Sequence, residues 1–279
     1  MKYTFLLILS LLTCISCQEV IDVDLQSESP RLVIDAAIER TYEGDSFTDS
    51  ALVTLQTSST FNNKNVSYVN DAIVELINLD TNENTILENT NDLGNYEPNA
   101  SVNFSIDDTA NYQLKITYNS DVYTATERLN KGVPVDSLVQ EYNDNAFAPE
   151  DRKVTISFTD IADEANFYVF KIDDYNFQVI DDEFIINGES FDFQEFVEDN
   201  TLSTFKVNAW GSDKEFNRYL EAIAVLAGNQ NGPFGSVPFT ALGNIKNNTN
   251  KERFPYGYFH INEVYTSSLE LVENSTLTP

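Results

Sequence analysis

Residues 111–129 read Asn-Tyr-Gln-Leu-Lys-Ile-Thr-Tyr, then Asn-Ser-Asp, then Val-Tyr-Thr-Ala-Thr-Glu-Arg-Leu. Tyr112, Leu114, Ile116 and Tyr118 fall on one face at period two, a spacing that suits an extended chain with one buried side. Asn119-Ser120-Asp121 is turn chemistry, so the stretch predicts a β-hairpin. Strand-like patterning recurs over residues 31–39, 51–57, 71–79, 85–88, 153–159, 166–172, 176–180, 204–210 and 264–272, with polar turns such as 42–45 and 80–84 between. Short strands at this spacing predict β-sandwich architecture. One segment changes period. Ser212 is a good helix N-cap, Glu215 stands three residues on as in a capping box, and Phe216, Tyr219, Leu220, Ile223 and Ala227 follow at helical spacing before Gly228. The expectation is therefore a mostly β chain of two consecutive β-sandwich-like domains, with one amphipathic helix packed on the second. Gly132-Val133-Pro134 marks the boundary, which gives a first sandwich over 30–130, a linker over 131–149 and a second β-rich domain over 150–279.

The N-terminus predicts where such a chain resides. Met1-Lys2-Tyr3 is a short positive region, and residues 4–12 (TFLLILSLL) form an apolar run of about nine residues. A bilayer-spanning helix needs about 20. Ser16-Cys17 then offers a small residue before a cysteine, the pattern that a lipoprotein signal peptidase accepts. Cys17 is the expected lipid attachment site, with 1–16 as signal peptide and 17–29 as tether. Cys14, preceded by Leu11-Leu12-Thr13, is the competing site, and an ordinary secretory signal with a free cysteine is the plainer alternative. With Cys17 as first residue, Cys14 is discarded and the mature chain holds no disulfide. No second apolar run reaches 18 residues, so the expectation is a chain tethered to a membrane by its lipid and not spanning it. Gln18-Glu19, Asp22 and Asp24 place acid directly after the anchor.

Charge removes some functions and composition weakens others. Forty-five acidic side chains oppose 16 basic ones, a formal net charge of −29. A nucleic-acid partner needs a positive surface to release counterions, so none is expected. With 42% hydrophobic residues the acidity does not imply disorder. One His and two Cys leave no material for a Cys-His triad or a multi-ligand zinc site. Asp107-Asp108, Asp173-Asp174 and Asp181-Asp182-Glu183 lack calcium-loop spacing, and adjacent acids on a strand point to opposite faces, which favours solvated faces over a cation site. His260, in an aromatic strand, reads as packed more readily than catalytic. The loop 229–235 carries no Lys-Ser or Lys-Thr after its glycines, so it is no phosphate loop. No catalytic residue, cofactor or metal site is expected.

Several segments in order resemble a Bacteroidota lipoprotein family known as domain of unknown function 4249. They are the lipobox Cys17 with Val20-Ile21-Asp22-Val23-Asp24-Leu25, Arg31-Leu32-Val33-Ile34-Asp35, Asp71-Ala72-x-Val74, Gly94-Asn95-Tyr96, Tyr112-x-Leu114-x-Ile116 and Val133-Pro134-Val135-Asp136-Ser137-Leu138. In the second half they are 154–160 with Asn166-x-Tyr168, Phe184-Ile185-Ile186-Asn187-Gly188, Tyr219-Leu220, Gly243-Asn244-Ile245 and Gly257-Tyr258-Phe259. The segment 160–164 departs from the cleaner Asp-Pro turn that the resemblance implies. The first half also resembles a carboxypeptidase-regulatory-like, transthyretin-like or Ig-like sandwich.

The resemblance implies a non-enzymatic outer-membrane lipoprotein facing the cell exterior. Its implied role is as accessory or substrate-capturing partner of a TonB-dependent transporter. An adhesin or structural surface protein without a transporter is the alternative, and a hydrolase the weaker third reading. In the same bacterial setting, Asp followed by Ser or Thr and a small or aliphatic residue is an O-glycan acceptor pattern. Ser50, Thr109 and Ser137 fit it, and Thr109 ranks first because it stands in a polar turn before a strand.

Overall fold

The computed structural model describes residues 29–59, 66–145, 148, 151–173, 176–181, 183, 185–198, 202–228 and 240–277. The first half holds β1 (Leu32–Glu43), β2 (Ser46–Thr57), β3 (Ser67–Tyr68), β4 (Ile73–Asn78), β5 (Asn84–Asn89), β6 (Asn95–Pro98), β7 (Asn111–Tyr118) and β8 (Asp121–Arg128). The second holds β9 (Val135–Glu141), β10 (Arg152–Thr159), β11 (Phe167–Ile172), β12 (Asn176–Asp181), β13 (Ser190–Val197), β14 (Thr204–Ser212), α1 (Lys214–Gly228), β15 (Lys246–Asn247) and β16 (Tyr256–Glu270). The chain is mostly β, with a large sandwich-like sheet, a smaller sheet and one helix among the described residues.

The strongest sequence expectation is the β7–β8 hairpin, which pairs antiparallel from Asn111↔Arg128 to Tyr118↔Asp121. Asn119 and Ser120 both take positive φ, 48° and 67°. That is the two-residue turn whose twist matches the flanking strands, and Asn tolerates it well.

Thirteen strands form one sheet in the order β12-β11-β14-β16-β1-β2-β6-β5-β4-β7-β8-β15, with β3 beside β2. The C-terminal strand β16 is its centre. Residues 256–265 of β16 run parallel to β1, and residues 264–270 pair antiparallel with β14. A parallel bridge between Asn130 and Asn262 also brings the end of β8 back to β16. The strands β16-β1-β2-β6-β5-β4-β7-β8 therefore close around a first core, which includes Ile34, Ile38, Leu55, Leu114, Ile116, Phe259 and Ile261, each at most 1% exposed. The parallel pairing depends on a glycine. Gly257 has φ 103° opposite Ile34, and a Cβ there would lie 1.8 Å from the Ile34 carbonyl oxygen.

A second core lies between β11-β14-β16 and the three-stranded sheet β13-β10-β9. Phe158 of β10 packs on Phe170 and Tyr168 of β11 at ring-centroid distances of 4.8 and 5.4 Å, all three fully buried. Each such side chain contributes about 1.5–3 kcal/mol by leaving water. The segment read as a linker over 131–149 thus contains a strand of this sandwich, β9. Its junction with the first half is pinned: Gly132 donates its N–H to Glu263, which also accepts from the Tyr42 hydroxyl, and Tyr42 stacks on Tyr265 at 4.5 Å. The strand expected over 264–272 is the far end of β16, continuous with the aromatic stretch around His260.

The helix starts one residue later than expected. Asp213, not Ser212, caps it, through Phe216 N–H to Asp213 Oδ1 at 2.8 Å. Ser212 ends β14 and gives its hydroxyl to Asn217 instead. Phe216 and Asn217 are the buried residues of α1, whereas Ile223 is 37% exposed.

Candidate functional site

Two places gather polar chemistry outside the cores. The first is a crevice of about 660 Å³ where the two halves meet. Turn 108–109, the end of β8 with the junction residues 128–131, and the turn 164–166 before β11 supply its walls. It is lined by Asp108, Thr109, Arg128, Leu129, Asn130, Lys131, Glu164, Ala165, Asn166 and Ser212. Its size is that of small-molecule sites, which favour junctions of this kind. Most of its charges are matched. Lys131 pairs with Glu164 at 2.8 Å. Asp108 pairs with Arg40, a buried guanidinium that also grips both oxygens of Asp49 and donates to the Ile106 carbonyl. Arg128 is exposed, and its side chain makes no hydrogen bond or ion pair among the described residues.

The second place is the outer face of β16 under α1. His260 lies between Phe216, ring centroids 4.5 Å apart, and Trp210, at 5.7 Å. Its Nδ1 lies 3.0 Å from Asn262 Nδ2. At 5% exposure the imidazole is sealed, and burial pushes its pKa down to about 4. Tyr258, beside Asp35 in the β1–β16 register, packs against Phe216 and Tyr219 at 5.0 Å each. Its hydroxyl is buried without a hydrogen-bond partner among the described residues. Burial, then the charges of Asp213, Glu127 and Glu215, push its phenol far up.

Glu127 stands at the seam between β8 and β16. Burial first, and the Asp213 charge second, raise its carboxyl to about 7, against a 2.6 Å hydrogen bond from Asn244 that lowers it. Asn244 also reads the Phe259 backbone, donating to its carbonyl and accepting from its N–H. Asp35 and Glu39 on β1 are likewise raised by burial, with Lys171 acting in the opposite sense. Asp35 is exposed at the surface, yet the groups packed around it desolvate its carboxyl enough to raise it. Among the described residues no three of His, Cys, Asp and Glu are grouped to hold a metal ion.

The residues singled out in the sequence lie apart. Cys17 is outside the described residues. Ser50 is exposed on β2 opposite Glu39, and Ser137 is exposed on β9 opposite Ser157. Thr109 is exposed in its turn and lines the crevice. Its N–H and hydroxyl both donate to Asp107 at 2.8 Å, holding that carboxyl below its ordinary range. Of the acidic clusters, Asp173 accepts from Lys206 N–H and Asp181 accepts from Asn217, whereas Asp174 and Asp182 lie outside the described residues. Sequence patterning did not single out Arg128, Glu127, Asp35 or Tyr258. Only the closure of β8 on β16 brings Glu127 near the start of α1.

No curated protein matches the chain, and no solved structure does. The family model described as Domain of unknown function (DUF4249) matches residues 18–268, nearly the whole length, and the chain belongs to that family.

Proposed function

We propose that this chain is a lipid-anchored outer-membrane protein of a Bacteroidota cell, facing the exterior. In this reading it is a non-enzymatic accessory or substrate-capturing partner of a TonB-dependent transporter. The observation that carries the reading is the family match beginning at residue 18, directly after the lipobox cysteine Cys17. The tether from Gln18 to Ser29 is about 12 residues, which reaches roughly 40 Å when extended at ~3.3–3.6 Å per residue. That length lets the folded part stand over a barrel mouth while the lipid stays in the leaflet. Confinement to one membrane raises effective concentration, so a weak direct contact holds the pair together.

The sealed environment of His260 supports a non-enzymatic role. The chain's one imidazole is stacked between Trp210 and Phe216, and among the described residues its hydrogen-bonding contact is Asn262 and not a carboxylate that would orient it as a base. The closed layer of the first half accords with a carboxypeptidase-regulatory-like sandwich.

Isolation of the native protein in mild detergent tests the reading. A large β-barrel transporter should co-purify, identified by its own sequence, and the lipid-free chain should hold that barrel much more weakly. Recovery of the lipoprotein alone, at low salt and in several mild detergents, would favour an adhesin or structural surface role. Turnover of glycans or peptides would point to a hydrolase, with Glu127 the first carboxyl to substitute.

A further inference from the structure

We propose that the crevice between the two halves binds a hydroxyl-rich ligand carrying one carboxylate, of the acidic-sugar class, with Arg128 receiving the carboxylate. The argument begins with charge. In a chain of net charge −29, a carboxylate ligand is repelled almost everywhere. Within the crevice lining, Glu164 is neutralised by Lys131, and Asp108 shares the Arg40 guanidinium with the buried Asp49. Arg128 is left as the one charged lining residue that makes no ion pair among the described residues, and it is positive.

A guanidinium presents donors in a planar fork that fits a carboxylate by two parallel hydrogen bonds. The Arg128 side chain spends none of them on the described protein. Around it stand groups suited to hydroxyls: the Thr109 oxygen, the Glu164 and Asp108 carboxylates as acceptors, and the Lys131 ammonium as donor. The volume of about 660 Å³ holds a mono- or disaccharide.

Two other ligand classes fit less well. No aromatic ring lines the crevice, so a nucleobase finds nothing to stack on. A polyanion would meet one free guanidinium and then the acidic surface beyond it. The site stands apart from the transporter reading, because binding is a property of the chain alone and needs no partner to be measured.

Isothermal titration of the full chain in mild detergent at low salt tests the proposal, with glucuronate as probe and glucose, acetate and sulfate as partial probes. Glucuronate should bind with Kd below about 1 mM, and each partial probe at least about tenfold more weakly. Arg128→Gln, an exposed change that spares both cores, should weaken glucuronate about tenfold or more, the loss expected for a charge-assisted hydrogen bond. Arg128→Lys, which keeps the charge and loses the fork, should fall between. Lys251→Gln, an equal charge change at an exposed turn outside the crevice, should leave binding unchanged. Three outcomes would overturn the proposal: no saturable glucuronate heat up to about 10 mM, glucuronate binding unaltered by Arg128→Gln, or sulfate binding as tightly as glucuronate.

Discussion

Acidification sets His260 of β16 and Glu127 of β8 against each other. Folded, His260 takes up a proton near pH 4; unfolded, near 6.5. Its contribution to stability is therefore whole above pH 6.5 and drains away as pH falls toward 4. At about 1.36 kcal/mol per pH unit the contribution is about 3 kcal/mol, of which about 2.5 is gone by about pH 4.5. Glu127 has the opposite sign. Its carboxyl, raised from 4.5 to about 7, keeps its proton in the folded state across that interval. This contribution is present below pH 4.5 and is lost as pH rises through 7. Glu127 is partly exposed, so solvent screening reduces it to about 1–2 kcal/mol. Asp35 and Glu39, also raised, act in the same direction as Glu127.

Urea unfolding at about pH 7.5 and pH 4.5, on the wild type, Glu127→Gln and His260→Phe, separates the two groups. Glu127→Gln should steepen the acid loss by about 1–2 kcal/mol. His260→Phe should flatten it by about 2.5 kcal/mol, equivalent to roughly 5–10 °C in Tm. The phenyl ring keeps the stack with Trp210 and Phe216 but takes a partner from Asn262, so the change between the two pH values is compared, not the absolute stability. Equal acid losses in wild type and His260→Phe would refute the reading of His260 as a sealed, neutral imidazole.

Three further outcomes follow from the charge distribution. Arg40→Ala should cost about 3–5 kcal/mol in chemical denaturation, because it leaves the buried Asp49 carboxylate unpaired; a loss under 1 kcal/mol would show that water replaces the guanidinium. The Tm should rise from low to moderate sodium chloride as salt screens the net charge of −29, and a rise in calcium far beyond sodium at equal ionic strength would reveal a specific cation site. Intact mass from the native host should show an O-glycan, first on Thr109, and a mass of polypeptide plus lipid alone would remove that assignment.

What the sequence made legible follows from which side of each strand is buried. The β7–β8 hairpin was readable because its alternation is clean and its turn residues tolerate positive φ. β9 reads as linker because its residues are exposed or half-exposed, so no apolar stripe marks it. The cap was displaced by one residue because Ser212 and Asp213 are both good capping types, and only the Ser212–Asn217 bond decides between them. In the sequence β16 reads as two pieces, broken by the polar pair Asn262-Glu263. Asn262 is fully buried there because it bonds to Asn130 and His260 where β8 meets β16. The crevice was not legible at all: its walls come from positions 108 to 212, and the pairing of its charges depends on Arg40, far away in sequence.

The account of a tethered surface protein rests on its anchor. Mass spectrometry of the N-terminal peptide of the membrane-bound protein tests it most directly. The expected result is a peptide that begins at Cys17 and carries lipid, with Cys17→Ala releasing the protein from the membrane or leaving it unprocessed. A mature chain that begins at any other residue, or an unmodified Cys17 in the membrane fraction, would contradict the account.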